Sequence, residues 1–329
     1  MTAAPRREIT AKGTKCAPIT AEPGRTLRRA RRAISALAPA GAAALIGFLL
    51  VTRGDPVLDA IASVPAWVIA GAAMAHLLTL TLRTEAWRTV LRAGGGERVE
   101  PQALHAANVG AFLVGTVQGQ AALPARIALL RRFGGTDSPD VAQLALADAP
   151  IVLFEVCAAA LLAAVGSTAV GTIPGWAPWG MLAGAVAVLA ALRLAYGRLR
   201  HRRIAAGLGV LARPDLRARL AIVVAAFTGM AFLRTWIVLV GFGLPADPAH
   251  VCLVLFTMGA VGLLPLGVGT GPAATVAALG TTNLVTATAA GMVVSAATVL
   301  AVLVYAGAIW AWRAHLHEPV PGRGRAEAA

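Results

Sequence analysis

From Val251 to Trp312 the chain carries no Asp, Glu, Lys or Arg, a stretch of 62 residues. As continuous helix it would measure about 93 Å at 1.5 Å per residue. A bilayer core is about 30 Å thick and is crossed by about 20 residues. The run must therefore cross a membrane three times, or turn back on itself and cross once. It is broken near its start by Pro265-Leu266-Gly267-Val268-Gly269-Thr270-Gly271-Pro272.

Composition places the rest of the chain in the same solvent. Apolar residues make up 58% and charged residues 13%, with a mean hydropathy of +0.73. Soluble domains average roughly 25% charged. The apolar runs are long and unbroken, unlike the alternating segments of about 10 residues in a β-barrel. The fold class is therefore an all-α polytopic membrane protein. The net charge of +14 rests on 29 basic residues, of which only Lys12 and Lys15 are lysines. The arginines cluster between apolar runs, as cytoplasmic loops require, so they indicate topology and not nucleic-acid binding. The clusters would also attract anionic headgroups. Cys16, Cys157 and Cys252 stand far apart and form neither a disulfide framework nor a metal-ligand pattern.

The charge ledger orders the spans. Residues 1–32 read as a disordered basic cytoplasmic N-terminus, with arginines from Arg25 to Arg32 as its anchor. Spans are expected over Ala33–Thr52, Val64–Leu82, Val141–Val165, Trp176–Ala195 and Leu220–Phe242. The apolar segment Ala103–Ala125 has arginines on both flanks, Arg98 before it and Arg126, Arg131 and Arg132 after it. One span cannot join a side to itself, so a re-entrant hairpin from the cytoplasm is expected. Such backbone is tolerated at depth only inside protein or along a wet cavity. Residues 193–219 carry eight arginines and read as the largest cytoplasmic loop.

The uncharged run then starts outside and ends inside, at Arg313. A second hairpin, Val251 to about Leu284, followed by one span over about Val285–Trp312, satisfies this. About six spans and two oppositely oriented hairpins make the pattern of an inverted repeat. Three spans within the run would instead make about eight. Both termini are placed in the cytoplasm, with 33–313 as the transmembrane domain and 314–329 as a short tail.

Ionisable side chains at membrane depth are costly and mark candidate sites. Asp148 and Glu155 share a helix face. Glu155 lies 14 residues after Val141, and Arg234 lies 14 after Leu220. Equal depth predicts a Glu155–Arg234 ion pair. The glycines Gly267, Gly269 and Gly271 lack the Lys-Ser or Lys-Thr of a phosphate loop. They suit a tight turn between half-helices, with Pro272 at the first position of the second and its free amides facing an anion. His76 and His105 read as satisfied interior groups. No nucleophile–base pair, metal cluster or cofactor signature appears, so no enzyme activity and no cofactor are expected.

Three segments resemble the lysylphosphatidylglycerol synthase transmembrane-region family. Leu82-Arg83-Thr84-Glu85-Ala86-Trp87-Arg88-Thr89-Val90-Leu91-Arg92-Ala93-Gly94 is similar to its Leu-Arg-Trp…Leu-Leu…Gly segment. Arg126-Ile127-Ala128-Leu129-Leu130-Arg131-Arg132 resembles its Arg-x-x-x-Leu-Arg-Arg segment, and Leu264-Pro265-Leu266-Gly267-Val268-Gly269 its Pro-x-Gly-x-Gly motif. The sequence departs from the family at Ala122-Leu123, at Pro272, and at Asp148, which lacks its neighbouring Arg. The resemblance implies a flippase-like domain that binds or moves lipids, without the soluble synthase domain. It sets the expectation of an anionic lipid or lipid-linked intermediate bound or translocated across the cytoplasmic membrane. Arg83, Arg88, Arg92, Arg126 and Arg131 would collect the headgroup. Asp148, Glu155, Arg234, Pro265, Gly267, Gly269 and Gly271 would line the path. The alternative is an accessory subunit that docks a membrane-associated transferase on the basic loop 193–219.

Overall fold

The computed structural model describes residues 55–94, 99–117, 121–133, 139–170, 175–199, 203–262, 269–280 and 283–316. Every regular element among these residues is helical. The helices are α1 (Ala66–Ala93), α2 (Pro101–Val117), α3 (Ala122–Phe133), α4 (Val141–Val170) and α5 (Ala177–Leu199). They continue with a 3-10 segment (Arg203–Leu211), α6 (Pro214–Gly241), α7 (Pro248–Gly262), α8 (Thr270–Leu279) and α9 (Leu284–Leu316). Five of them, α1, α4, α5, α6 and α9, are long and apolar enough to cross a membrane. They match five of the expected spans. The other, Ala33–Thr52, lies outside the described residues, as do Pro265 and Gly267.

Local chemistry sets the ends. Pro214 opens α6, with Asp215 in its first turn, where a missing N–H costs nothing and a carboxylate faces the helix dipole. The helix closes on Gly243 at φ +63°. Gly243 N–H donates to the Val240 carbonyl at 3.1 Å and Leu244 N–H to the Leu239 carbonyl at 2.9 Å, the paired bonds of a Schellman motif. Asp247 then caps α7 by accepting from the N–H groups of Ala249 and His250 at 3.1 and 3.2 Å. The His250 N–H holds its carboxyl below the usual carboxylate range.

Helices α1 and α6 form the central pair, and they run antiparallel. Val68 meets Gly241, Gly71 meets Ile237, His76 meets Arg234 and Glu85 meets Arg219. This pairing decides where the hairpins enter. The α2/α3 pair follows the end of α1, and the α7/α8 pair follows the end of α6. Because α1 and α6 are antiparallel, the two helix pairs enter from opposite ends of the bundle. At 15 and 10 residues, α7 and α8 are too short to cross about 30 Å of hydrocarbon. The uncharged run is therefore one hairpin plus one span, and not the three spans that the charge ledger also allowed.

Several boundaries depart from expectation. Helix α1 runs on to Ala93, past the expected end at Leu82, and the first hairpin returns through Phe133, past Ala125. Helix α6 starts at Pro214, before Leu220, and Pro272 is the third residue of α8 and not its first. Helix α4 continues through Val170, so the loop expected from Gly166 begins later. The basic loop 193–219 is also not a free loop. Its centre, Arg203–Leu211, folds back under the bundle and buries Leu208, Val210 and Leu211 beside Trp87, Leu144 and Ile151. Gly209 permits this approach, since a Cβ there would sit 2.6 Å from the Ala93 carbonyl oxygen. Gln143 Nε2 ties the corner by donating to the Gly94 carbonyl at 3.2 Å.

Candidate functional site

The hairpins and the central pair enclose a cavity of about 480 Å³, inside the roughly 300–1,000 Å³ range of small-molecule sites. Each hairpin contributes its turn end. Gly115, Thr116 and Ala122 come from the first; Gly262, Thr270 and Gly271 come from the second. The arginines Arg83, Arg126 and Arg234 supply its charge, and no acidic residue is among the lining residues.

Each arginine is held differently. Arg83 pairs with Glu155 of α4, Nη2 to Oε1 at 2.9 Å. Arg126 is 4% exposed. Its guanidinium lies over the Trp87 ring at 4.7 Å and near Phe112 at 5.8 Å, with Asp148 Oδ1 at 3.5 Å. Asp148, which has no arginine beside it in its own segment, thus takes one from α3. Both carboxylates stand behind the guanidiniums and not on the cavity wall.

Arg234 is 8% exposed and pairs with no carboxylate among the described residues. It donates to His76 Nδ1 at 2.8 Å and to Thr298 Oγ1 at 3.2 Å, while its Nε has no partner among the described residues. Arginine only donates, so Nδ1 accepts and the neutral imidazole keeps its proton on Nε2. The expected Glu155–Arg234 ion pair is therefore overturned: Glu155 belongs to Arg83. The swap Arg83→Glu/Glu155→Arg should recover most of the thermal stability lost in either single variant, a coupling of roughly 0.5–3 kcal/mol. The swap Glu155→Arg/Arg234→Glu should recover none, and equal recovery in the two would contradict this assignment.

Of the other sequence candidates, Gly271 lines the cavity and Gly269 is the buried N-cap of α8. Arg88, bonded to Glu85 at 3.4 Å, Arg92 and the exposed Arg131 lie outside the lining. His76, read from the sequence as a satisfied interior group, lines the cavity, as do Ser295 and Thr298, which were not singled out. Ser295 and Thr298 are one turn apart on α9, a polar pair inside an uncharged run, and that spacing was the available signal. His105 bonds the Tyr305 hydroxyl, which lies 3.4 Å from Thr84 Oγ1. This contact clips α1, α2 and α9 together away from the cavity. Among the described residues no cluster of three His, Cys, Asp or Glu could hold a metal ion.

Membrane-length helices, two opposed hairpins and an arginine-lined cavity between them define a polytopic membrane protein with an internal basic cavity. Its family follows from comparison. The chain belongs to the lysylphosphatidylglycerol synthase TM region family, whose model matches residues 34–312. The match concerns the membrane region, and it ties the chain to lipid handling in a membrane. None of the curated proteins compared with it matches.

Proposed function

We propose that the protein binds an anionic lipid, or the phosphate of a lipid-linked intermediate, in this cavity and passes it across the cytoplasmic membrane. The observation that carries the reading is the meeting of three guanidiniums at the turn ends of two opposed hairpins. A charged headgroup in hydrocarbon is costly, and buried guanidiniums compensate it along the way. The cavity is large enough for a headgroup and too small for a whole lipid, so the acyl chains stay in the bilayer. Each hairpin brings residues from beside its turn to the cavity, and a hairpin is a thinner barrier than a full span. In this reading Arg88, Arg131 and both termini are cytoplasmic, which the positive-inside rule supports. The reading assigns no bond-making step. Docking of a transferase on the basic loop has less support, because the centre of that loop packs on the chain itself.

The test is reconstitution in liposomes with fluorescent phosphatidylglycerol and leaflet-resolved quenching. Movement should depend on the protein and fall several-fold in Arg83→Gln/Arg234→Gln. Lipid movement no faster than in empty liposomes, under pH, sodium and voltage gradients alike, would defeat the reading.

A further inference from the structure

The charges on and behind the cavity wall do not cancel. Arg83 and Arg126 are each matched by a carboxylate, Glu155 and Asp148. Arg234 is matched by none among the described residues, and its neighbours His76 and Thr298 accept from it without neutralising it. Three guanidiniums against two carboxylates leave one positive charge. That charge is 8% exposed, so the site is incomplete without an anion.

A second feature of the same cavity has the same sign. Helix α8 begins at Thr270 with Gly269 as N-cap, and no side-chain hydrogen bond caps it among the described residues. Thr270 and Gly271 line the cavity together with Arg234. The first amides of a helix carry roughly half a positive charge and favour an anion. Proline in that turn removes no hydrogen bond, and glycine keeps the backbone open to approach. An ammonium group placed anywhere in the cavity would meet guanidiniums and no carboxylate on the wall.

We infer that the cavity selects a phosphodiester headgroup with one net negative charge and no cationic substituent, its phosphate held by Arg234 and the first turn of α8. This rests on the lipid reading above and narrows it: the ligand is an unmodified acidic phospholipid or a lipid-linked phosphodiester of like charge. A headgroup esterified with lysine, which carries a net positive charge, is rejected.

The full chain in detergent, titrated by native mass spectrometry with short-chain phosphatidylglycerol, lysyl-phosphatidylglycerol and inorganic phosphate, tests this. Phosphatidylglycerol should bind at least about tenfold more tightly than its lysyl ester, the scale of one charge-assisted contact. Arg234→Gln should weaken phosphatidylglycerol by at least about tenfold and shrink that gap, with Arg234→Lys falling between. Thr298→Val should weaken binding less, since Thr298 only orients the guanidinium. The wild-type comparison needs no variant to fold. Equal binding of the lysyl ester overturns the selectivity and leaves the lipid reading standing. Unchanged binding by a folded Arg234→Gln overturns the subsite. Inorganic phosphate binding as tightly as the lipid makes this a free-anion site and overturns the headgroup. Binding of none of the three overturns both readings.

Discussion

Arg126→Leu should lower the unfolding free energy by about 3–5 kcal/mol, the cost of stranding one partner of a buried ion pair. Asp148, the stranded partner, has a side chain only 15% exposed. The same change also removes the cation stacked on Trp87 at 4.7 Å, worth roughly 2 kcal/mol when desolvated. Trp87 is fully buried in the cluster that joins α1, α2, α3, α4, the 3-10 segment and α6, so a gap there is felt by six elements. Arg126→Lys keeps the charge and loses the planar face, and should fall between wild type and Leu.

The informative variant is Arg126→Leu/Asp148→Asn. With the carboxylate neutralised, most of the lost stability should return in denaturant or thermal unfolding. Lipid binding should not return, because the guanidinium on the cavity wall is still missing. Recovery of both would mean that Arg126 serves only the fold. Recovery of neither would mean that Asp148 is not what Arg126 compensates.

The sequence made the architecture legible because membranes simplify the problem. An arginine cluster fixes a side, about 20 apolar residues fix a crossing, and a segment flanked twice by the same side must turn back. Applied to Ala103–Ala125, this reasoning yields the first hairpin; for the 62-residue run, with opposite sides at its ends, it requires only an odd number of crossings, and the short α7 and α8 decide for one. The antiparallel α1–α6 pair then follows from the requirement that they oppose each other.

Pairing of side chains was less legible. The expected Glu155–Arg234 contact assumed that equal distances from two span starts mean equal depth. Helix α6 in fact starts at Pro214, so Arg234 lies 20 residues in, against 14 for Glu155 from Val141. Six residues are about 9 Å along a helix axis, enough to bring a different residue opposite. Arg234 meets His76 instead, and Glu155 meets Arg83. Hydropathy marks where the chain is greasy and not where a helix begins, so charged helix starts such as Pro214–Arg219 escape it. The 3-10 segment escaped for the opposite reason. Its apolar Ile204–Leu211 sits among arginines and is too short to register as a span, yet Leu208, Val210 and Leu211 are buried in the core.

Gly291→Ala should cost stability out of proportion to one methyl group. A Cβ at Gly291 would stand 2.5 Å from both Cα and N of Pro272 and 2.6 Å from the carbonyl carbon of Gly271. All three are backbone atoms, so no rotamer change can relieve the clash. A Cβ at Gly271 would in turn meet the Gly291 carbonyl oxygen and Ser295 Oγ, so the crossing of α8 on α9 excludes side chains from both faces. Small residues allow this close approach between membrane helices, where van der Waals packing must do what hydrophobic burial does in water. Overpacking of a filled core costs about 1–3 kcal/mol, and an unyielding backbone puts Gly291→Ala at the upper end. Gly184→Ala on α5 is the matched control. Its Cβ would meet nothing within 4 Å, and alanine in a helix interior is favoured over glycine by roughly 0.5–1 kcal/mol. Thermal unfolding in detergent should therefore move down for Gly291→Ala and stay level or rise for Gly184→Ala; matching shifts would contradict the tight crossing. The binding consequence is separable. Relief of the clash requires the first turn of α8 to leave α9, and that turn lines the cavity beside Arg234. Affinity for phosphatidylglycerol should fall in the fraction of Gly291→Ala that stays folded, although residue 291 lies outside the cavity lining.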